Sequence, residues 1–425
     1  MKRMWLAIVV AFGGLLGGAA FAQGVTLHIS CGAVGTELQL CKEESQAWAQ
    51  KTGNTVVVVS TPNSTSDRLA LYQQQLSAQS SSIDIYQIDV TYPGILGSYF
   101  IDLSKYFSQS DLSPFIPALI SNDQYEGKQV AIPWFNDAGV LYYRTDLLQK
   151  YGYSNPPTTW TELTQMAQKI QAGERANGNP KFWGYVWQGD SYEGLTCDAL
   201  EWIYSFGGGT IVDPQGNITI DNPQAAEAIN MAAGWVGTIS PPGVLSYQEE
   251  DARGVWQAGN AAFMRNWPYA YSEGQSANSP IKGKFAIAVL PKADTPQGQH
   301  AATLGGWQLA VSRFSQHPAE AADLVKYLTS DSVEIDRAVK GSFLPSRLAV
   351  YDNAQVIQAH DFIHALKPVF SSAVARPSTA TKDKYNQVSS AFWTAVHNVL
   401  AGQAQANQAL AGLKQQLTRI KGAGW

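Results

Sequence analysis

The chain opens on a stretch, Val25 to Ser30, in which apolar and polar positions alternate as in a half-buried strand. Thr36-x-x-Gln39 then has the spacing of a capping box and predicts a helix running to Thr52 and stopping at Gly53. Val56 to Val59 is a four-valine strand, Ser66 to Ala78 a second helix and Ile83 to Ile88 a third strand. Strand, helix, strand, helix, strand is the order of a parallel sheet with crossover helices, so the class is α/β. In such sheets ligands sit beyond the carboxyl ends of the strands and near helix N-termini. Glu37, Ser66, Asp67 and Asp89 occupy such positions and are candidates.

Further along, Ala131 to Leu148 holds two short apolar runs with Asn136 and Asp137 between them. Pro133 lacks an N–H, so a regular ladder is expected to end there and the chain to leave one lobe for another. Thr159-x-x-Glu162 predicts a helix to about Ala172, Tyr192 to Phe206 another, and Asn222-Pro223 a cap followed by a first-turn proline. Tyr247 to Ala258 reads as a helix and Ala261 to Asn266 as a strand. Phe285 to Pro291 alternates and ends in proline, and a second crossing is placed there. A strand over Gly305 to Val311 and helices over Pro318 to Leu328 and Ser332 to Val339 precede a third crossing at Phe343 to Ser346. The C-terminal part is helical, with Leu410, Leu413, Leu417 and Ile420 on one stripe that must dock. Residues 23–137 with 292–343 are expected to form an N-terminal lobe, and 138–291 with 344–425 a C-terminal lobe.

Length agrees with two lobes, since 425 residues exceed the roughly 250–300 at which one core stops growing. Charged residues make up 15% of the chain, against about 25% in an ordinary soluble domain. With a formal charge of −5 and no Lys/Arg run, nucleic acid and anionic lipid are excluded as natural partners. Neutral, hydroxyl-rich ligands fit better. Residues 1–22 carry Lys2-Arg3, an apolar Gly-rich run from Trp5 to Phe21 and the small-x-small site Ala20-Phe21-Ala22, as a cleaved secretory signal does. Cys31 is the first cysteine, which leaves none at the cleavage point for lipid. An exported, oxidising setting lets two of Cys31, Cys41 and Cys197 pair. The local Cys31–Cys41 bridge, worth about 3 kcal/mol on the chain-entropy model, is the expected one. A bridge through Cys197 and three free thiols are the alternatives.

Aromatic residues are abundant, with 13 Trp and 19 Tyr, and Trp134, Phe135, Trp187, Tyr192, Trp267, Tyr269, Tyr271 and Trp307 fall in predicted loops or at strand ends. A pyranose has a flat C–H face that an indole or phenol matches at little entropic cost, while carboxylates and arginine suit its hydroxyls. The run Pro133-Trp134-Phe135-Asn136-Asp137 followed by Ala138-Gly139-Val140-Leu141-Tyr142-Tyr143-Arg144-Thr145-Asp146-Leu147-Leu148 resembles the first interlobe crossing of extracellular solute-binding proteins that feed sugar ABC importers, above all the trehalose/maltose-binding type. The resemblance covers nearly the whole mature chain. It implies a two-lobe periplasmic-binding-protein-like fold of type II, each lobe a sheet flanked by helices, joined by a three-crossing hinge.

In that family the motifs matched by Asn266-Trp267-Pro268-Tyr269 and Gly305-Gly306-Trp307-Gln308-Leu309-Ala310-Val311 carry ring-stacking residues, which implies Trp267, Tyr269 and Trp307 at the sugar and Gly305 and Gly306 as backbone that approaches hydroxyls. The resemblance also implies glycosyl contacts from Asp89, Asp137 and Arg376, while Ser66, Asp67 and Arg68 match only loosely. Phe135 stands where some relatives have tyrosine, so one ligand hydroxyl contact is lost and the disaccharide stays open.

The expected function is capture of an α-linked disaccharide such as trehalose, maltose or sucrose for a membrane permease, without cofactor or catalysis, by a monomer outside the cytoplasmic membrane. The rivals are a secreted glycoside hydrolase and the same fold holding a polyamine or ferric ion. No Walker loop or nucleophile elbow is present, and His360-x-x-x-His364 has aspartate after its first histidine where a zinc peptidase needs glutamate.

Overall fold

The computed structural model describes residues 24–367, 369 and 373–425, and the expected signal segment lies outside them. Among the described residues, nine strands build the two main sheets: β1 (Thr26–Cys31), β2 (Thr55–Ser60), β3 (Ile85–Asp89), β4 (Ile132–Ala138), β5 (Val140–Arg144), β6 (Trp183–Val186), β7 (Ala261–Asn266), β8 (Phe285–Ala288) and β9 (Leu304–Val311). The first sheet has the order β2-β1-β3-β9-β4, the second β8-β5-β7-β6. β1 pairs in parallel with β2 and β3, as the strand–helix rhythm predicts. β9 then runs antiparallel between β3 and β4.

β4 and β5 are separated only by Gly139, so the chain passes from one sheet to the other in a single residue. Pro133 does not end the ladder. Ile132–Ala138 is one continuous strand, and the register slips between Trp307 and Gln308, where Trp307 opposes Phe135 and Gln308 opposes Pro133. A bulge that steps past Trp134 is how the sheet absorbs a residue without an N–H.

The helices that position the site and the C-terminal part are α1 (Glu37–Thr52), α2 (Thr65–Ser77), α3 (Trp160–Ala176), α4 (Glu193–Ser205), α5 (Pro223–Trp235), α6 (Glu249–Gln257), α7 (Asp331–Gly341), α8 (Tyr385–Leu400) and α9 (Ala406–Lys421). α3 has the predicted capping box from Thr159 and Glu162. α1 does not: the Thr36 side chain caps nothing, and Glu37 Oε2 instead accepts from the Val34 N–H at 3.3 Å. The C-terminal stripe docks as expected, with Leu410, Leu413 and Leu417 buried in the cluster that holds Ile229 of α5 and Phe392 of α8.

Two crossings fall later than the sequence suggests. After β8 the chain stays on the second lobe, where Lys292 bridges to Thr159 and Leu290 and Ala293 join its core, and it leaves only at Thr303. Leu348–Asp352, Ala354–Ala359 and Asp361–Leu366, expected in the C-terminal lobe, pack on α7 and on one another, with Phe362 also 4.6 Å from the Tyr271 ring of the second lobe, and Ser378–Thr381 lies against Pro93–Leu96 of the first lobe. From Tyr385 the chain packs on α4 and α5 of the second lobe. Apolar spacing marks a helix's buried face but not which neighbour covers it. One apolar cluster runs through the junction, from Leu27 and Ile29 of β1 to Tyr142 of β5 and Met264 of β7. Cys31 and Cys41 form a disulfide with Cα atoms 6.6 Å apart, and Cys197 is a buried free thiol. Among the described residues, no helix is long and apolar enough to cross a membrane.

Candidate functional site

Strand register brings the first lobe's contributions into one row. Trp307 on β9 stands opposite Asp89 on β3 and Phe135 on β4, and Gly305 stands opposite Asp137. The second lobe answers with Trp267 and Tyr269, which follow the end of β7. These residues, with Glu37 and Arg376, line one cavity between the lobes. Its empty space, open mouth included, is about 610 Å³.

Four helices begin at this cavity: α1, α2, α4 and α6 present Glu37, Thr65, Glu193 and Glu249 at their first positions, and all four line it. The positive ends of their dipoles favour the three carboxylates there. Asp137 has no dipole of this kind. Burial, with Glu37, Asp89 and Glu249 nearby and Arg265 opposing, pushes its carboxyl well above the usual range. Among the described residues, no group donates a hydrogen bond to that carboxyl, so its acceptors face the cavity unused. Burial likewise raises Glu193, against Arg376, and Glu249, against hydrogen bonds from its own backbone, Tyr192 and Trp267.

Each cavity-lining indole is backed by a guanidinium. Arg265 lies 4.0 Å from the Trp267 ring centroid and Arg68 lies 4.0 Å from that of Trp307. Such contacts hold a ring in place, and a desolvated one is worth about 2 kcal/mol. Arg265 is itself held by Asp198 at 3.0 Å and Glu201 at 2.6 Å, all three buried. Trp267 Nε1 donates to Glu249 Oε1 at 3.3 Å, and the Tyr269 hydroxyl to Glu250 Oε1 at 2.6 Å. The platforms are therefore fixed before any solute arrives.

Arg376 joins the two lobes. Its Nη1 lies 2.8 Å from Glu193 Oε1 and its Nη2 lies 3.1 Å from Asp89 Oδ1. Asp89 Oδ1 also accepts from the Thr91 N–H at 2.9 Å and the Thr91 hydroxyl at 2.7 Å. Flat apolar rings, carboxyl acceptors and guanidinium donors in an enclosed space suit a neutral polyhydroxyl solute.

Of the residues singled out from sequence, Glu37, Arg68, Asp89, Phe135, Asp137, Trp267, Tyr269, Gly305, Gly306, Trp307 and Arg376 line the cavity. Trp134, Tyr271 and the following four do not. Trp187 is fully buried, packs edge-on against Trp202 and donates to Ser240 Oγ at 3.0 Å, so it is a core residue of the second lobe. Tyr192 is buried beside Glu249, behind the lining. Ser66 Oγ accepts from the Glu193 N–H at 3.2 Å, and the exposed Asp67 merely follows it in the first turn of α2.

Sequence reasoning passed over Glu193 and Glu249. Each is the first-turn acid of a predicted helix, the same signal that singled out Glu37. Phe343, which packs on Phe135 at 4.8 Å between centroids, was read as hinge only. His360 and His364 do not share a helix. His360 sits between two short helices with Nε2 at the Val339 carbonyl, and the His364 ring faces Tyr351 and Asp352.

Fold and site together define a two-lobed receptor that holds a small solute between its lobes. The sequence matches the family described as bacterial extracellular solute-binding protein over residues 36–335, and the chain belongs to that family. It is 54% identical over 420 residues to a probable ABC transporter-binding protein of Deinococcus radiodurans, an alignment that covers 99% of this chain and 98% of the other. Among solved structures it resembles maltose-bound MalE3 of T. maritima, with a TM-score of 0.88 and 38% identity over 93% of this chain and 100% of that one. The GacH receptor of Streptomyces glaucescens, solved unliganded and with acarbose, has a TM-score of 0.81 over 93% of this chain and 99% of that one, but 22% identity, so that likeness concerns the fold alone. The two-lobe α/β architecture expected from sequence is the observed one.

Proposed function

We propose that this protein is the substrate receptor of an ABC sugar importer and captures an α-linked glucose disaccharide, of the maltose, trehalose or sucrose kind, between its lobes. The observation that carries this reading is the pairing of Trp307 from the first lobe with Trp267 from the second across one cavity, each indole fixed by an arginine and surrounded by carboxylates. Likeness to a maltose-bound protein at 38% identity supports the sugar class, and the Deinococcus relative's name supports the transporter partner. Closure is a hinge movement about the interlobe crossings, and the solute acts as latch because it touches both lobes only when they meet.

A disaccharide of about 23 heavy atoms at roughly 0.3 kcal/mol each yields about 7 kcal/mol, a dissociation constant of about ten micromolar. Isothermal titration against maltose, trehalose, sucrose and a mono- to tetrasaccharide panel tests the reading, with parallel measurement of released glucose. Micromolar or tighter binding of a disaccharide without hydrolysis is expected. Silence across the panel refutes the sugar assignment, and glucose release refutes the receptor role.

A further inference from the structure

Glu193 lines the cavity, yet its carboxyl is already engaged by the protein. Oε1 accepts from Arg376 Nη1 at 2.8 Å and from the Tyr385 hydroxyl, and Oε2 accepts from Ser389 Oγ at 2.7 Å. A carboxylate holding three protein donors, and itself buried, has little left for a ligand hydroxyl. Tyr385 and Ser389 lie on α8, so Glu193, at the start of α4, is braced from behind by its own lobe. Its backbone N–H reaches the other way, to Ser66 Oγ on α2 of the first lobe at 3.2 Å.

Arg376 completes the link. One guanidinium nitrogen goes to Glu193 and another to Asp89 at the end of β3, which belongs to the first lobe. Among the described residues its Nε is buried without a protein partner, on a side chain that lines the cavity. The guanidinium thus uses one nitrogen on each lobe and retains an N–H for a solute acceptor. Without the Glu193 charge behind it, a buried arginine has no fixed geometry, and its neutralisation falls to Asp89 alone.

Building on the sugar-receptor reading, we propose that Glu193 is a positioning residue: it presents Arg376 to the solute and, through Ser66 and the Asp89–Arg376 pair, straps the second lobe to the first. The strap contacts exist only when the lobes meet, so they raise the population of the closed form. Apparent affinity scales with that population.

The test compares wild type with Glu193→Gln, Ser66→Ala and Tyr385→Phe by sugar titration, by small-angle scattering without sugar and by thermal melting. Glu193→Gln is expected to weaken sugar binding about tenfold or more, as a tenfold fall in closed population would, and to enlarge the unliganded radius of gyration. Its melting temperature should stay near that of wild type. Ser66→Ala should shift both readouts the same way by a smaller factor. Wild-type affinity and wild-type scattering for Glu193→Gln overturn the proposal, as does lost affinity that only tracks a lowered melting temperature. If Glu193→Gln fails to fold, Ser66→Ala and Tyr385→Phe decide by the same two readouts. If wild type takes no sugar, the receptor reading falls by itself, and unchanged scattering in the variants still overturns the strap.

Discussion

Gly305→Ala probes the contact on which closure depends. A Cβ at this position would stand 3.0 Å from Trp267 Cζ3 and 3.0 Å from Asp137 Cβ. Carbon atoms normally meet at about 3.5–4.0 Å, so each neighbour must give by a few tenths of an ångström. Asp137 belongs to the adjacent strand of the same lobe, so its clash is present whether the lobes are open or closed. Trp267 belongs to the other lobe and its ring is pinned by Arg265 and Glu249, so that clash arises only on closing. Overpacking of this kind costs about 1–3 kcal/mol, and carried by the closed form alone it weakens binding roughly 5- to 150-fold.

The assay is calorimetric titration of Gly305→Ala with the sugar that wild type binds, alongside thermal melting without sugar. The expected result is a large loss of affinity with a small loss of stability. Gly306→Ala is the control with the opposite signature: φ is +124° and the new Cβ would meet the Phe135 carbonyl oxygen at 2.7 Å, so the sheet itself suffers and melting falls first. A Gly305→Ala protein that binds within twofold of wild type would refute the idea that Trp267 closes onto this glycine.

Trp267→Ala or Trp307→Ala removes a ring that two lobes share, and a buried aromatic anchor is worth about 2 kcal/mol or more; titration should show at least about thirtyfold weaker binding, and retained affinity in both would exclude stacking. Asp123 is fully buried with Oδ2 unpartnered, and burial holds its carboxyl well above the usual range, against a weak Asn122 contact. The unfolded carboxyl ionises near about pH 3.9 while the folded one keeps its proton, so this group makes stability fall as pH rises above that value. Asp123→Asn should flatten that decline in denaturant midpoints measured from pH 4 to 8, and an unchanged slope would remove Asp123 from the account. Leu417→Ala, at a fully buried position of α9, should cost about 2–5 kcal/mol in chemical denaturation; a neutral outcome would mean that α9 is not docked.

Secondary structure was legible because caps and apolar spacing are local. Asn222 accepting from the Ala225 N–H ahead of Pro223, and the Thr159–Glu162 box, occur where the residues call for them. β4 and β5 meet at Gly139, within the stretch that carries the family's motif. Trp267 and Trp307 stood out because tryptophan beside paired glycine or a proline, at a strand end, is poorly explained as core. Trp187 shows the limit of that reasoning: it also lies at a strand end, yet its sheet face is covered by Trp202.

Residue order therefore settled the alternation of strands and helices, the acids at helix starts and the aromatic content of the cleft, because each follows from neighbours within a few positions. Which acids face solute, and which are already engaged by protein, was decided by contacts distant in sequence. Arg376 meets Asp89 across 287 residues, and that meeting needs two sheets, a bulge and the late return of the chain to the second lobe. Burial and partner, not residue type, then separate Asp137 with its unused acceptors from Glu193, whose carboxyl already holds three protein donors.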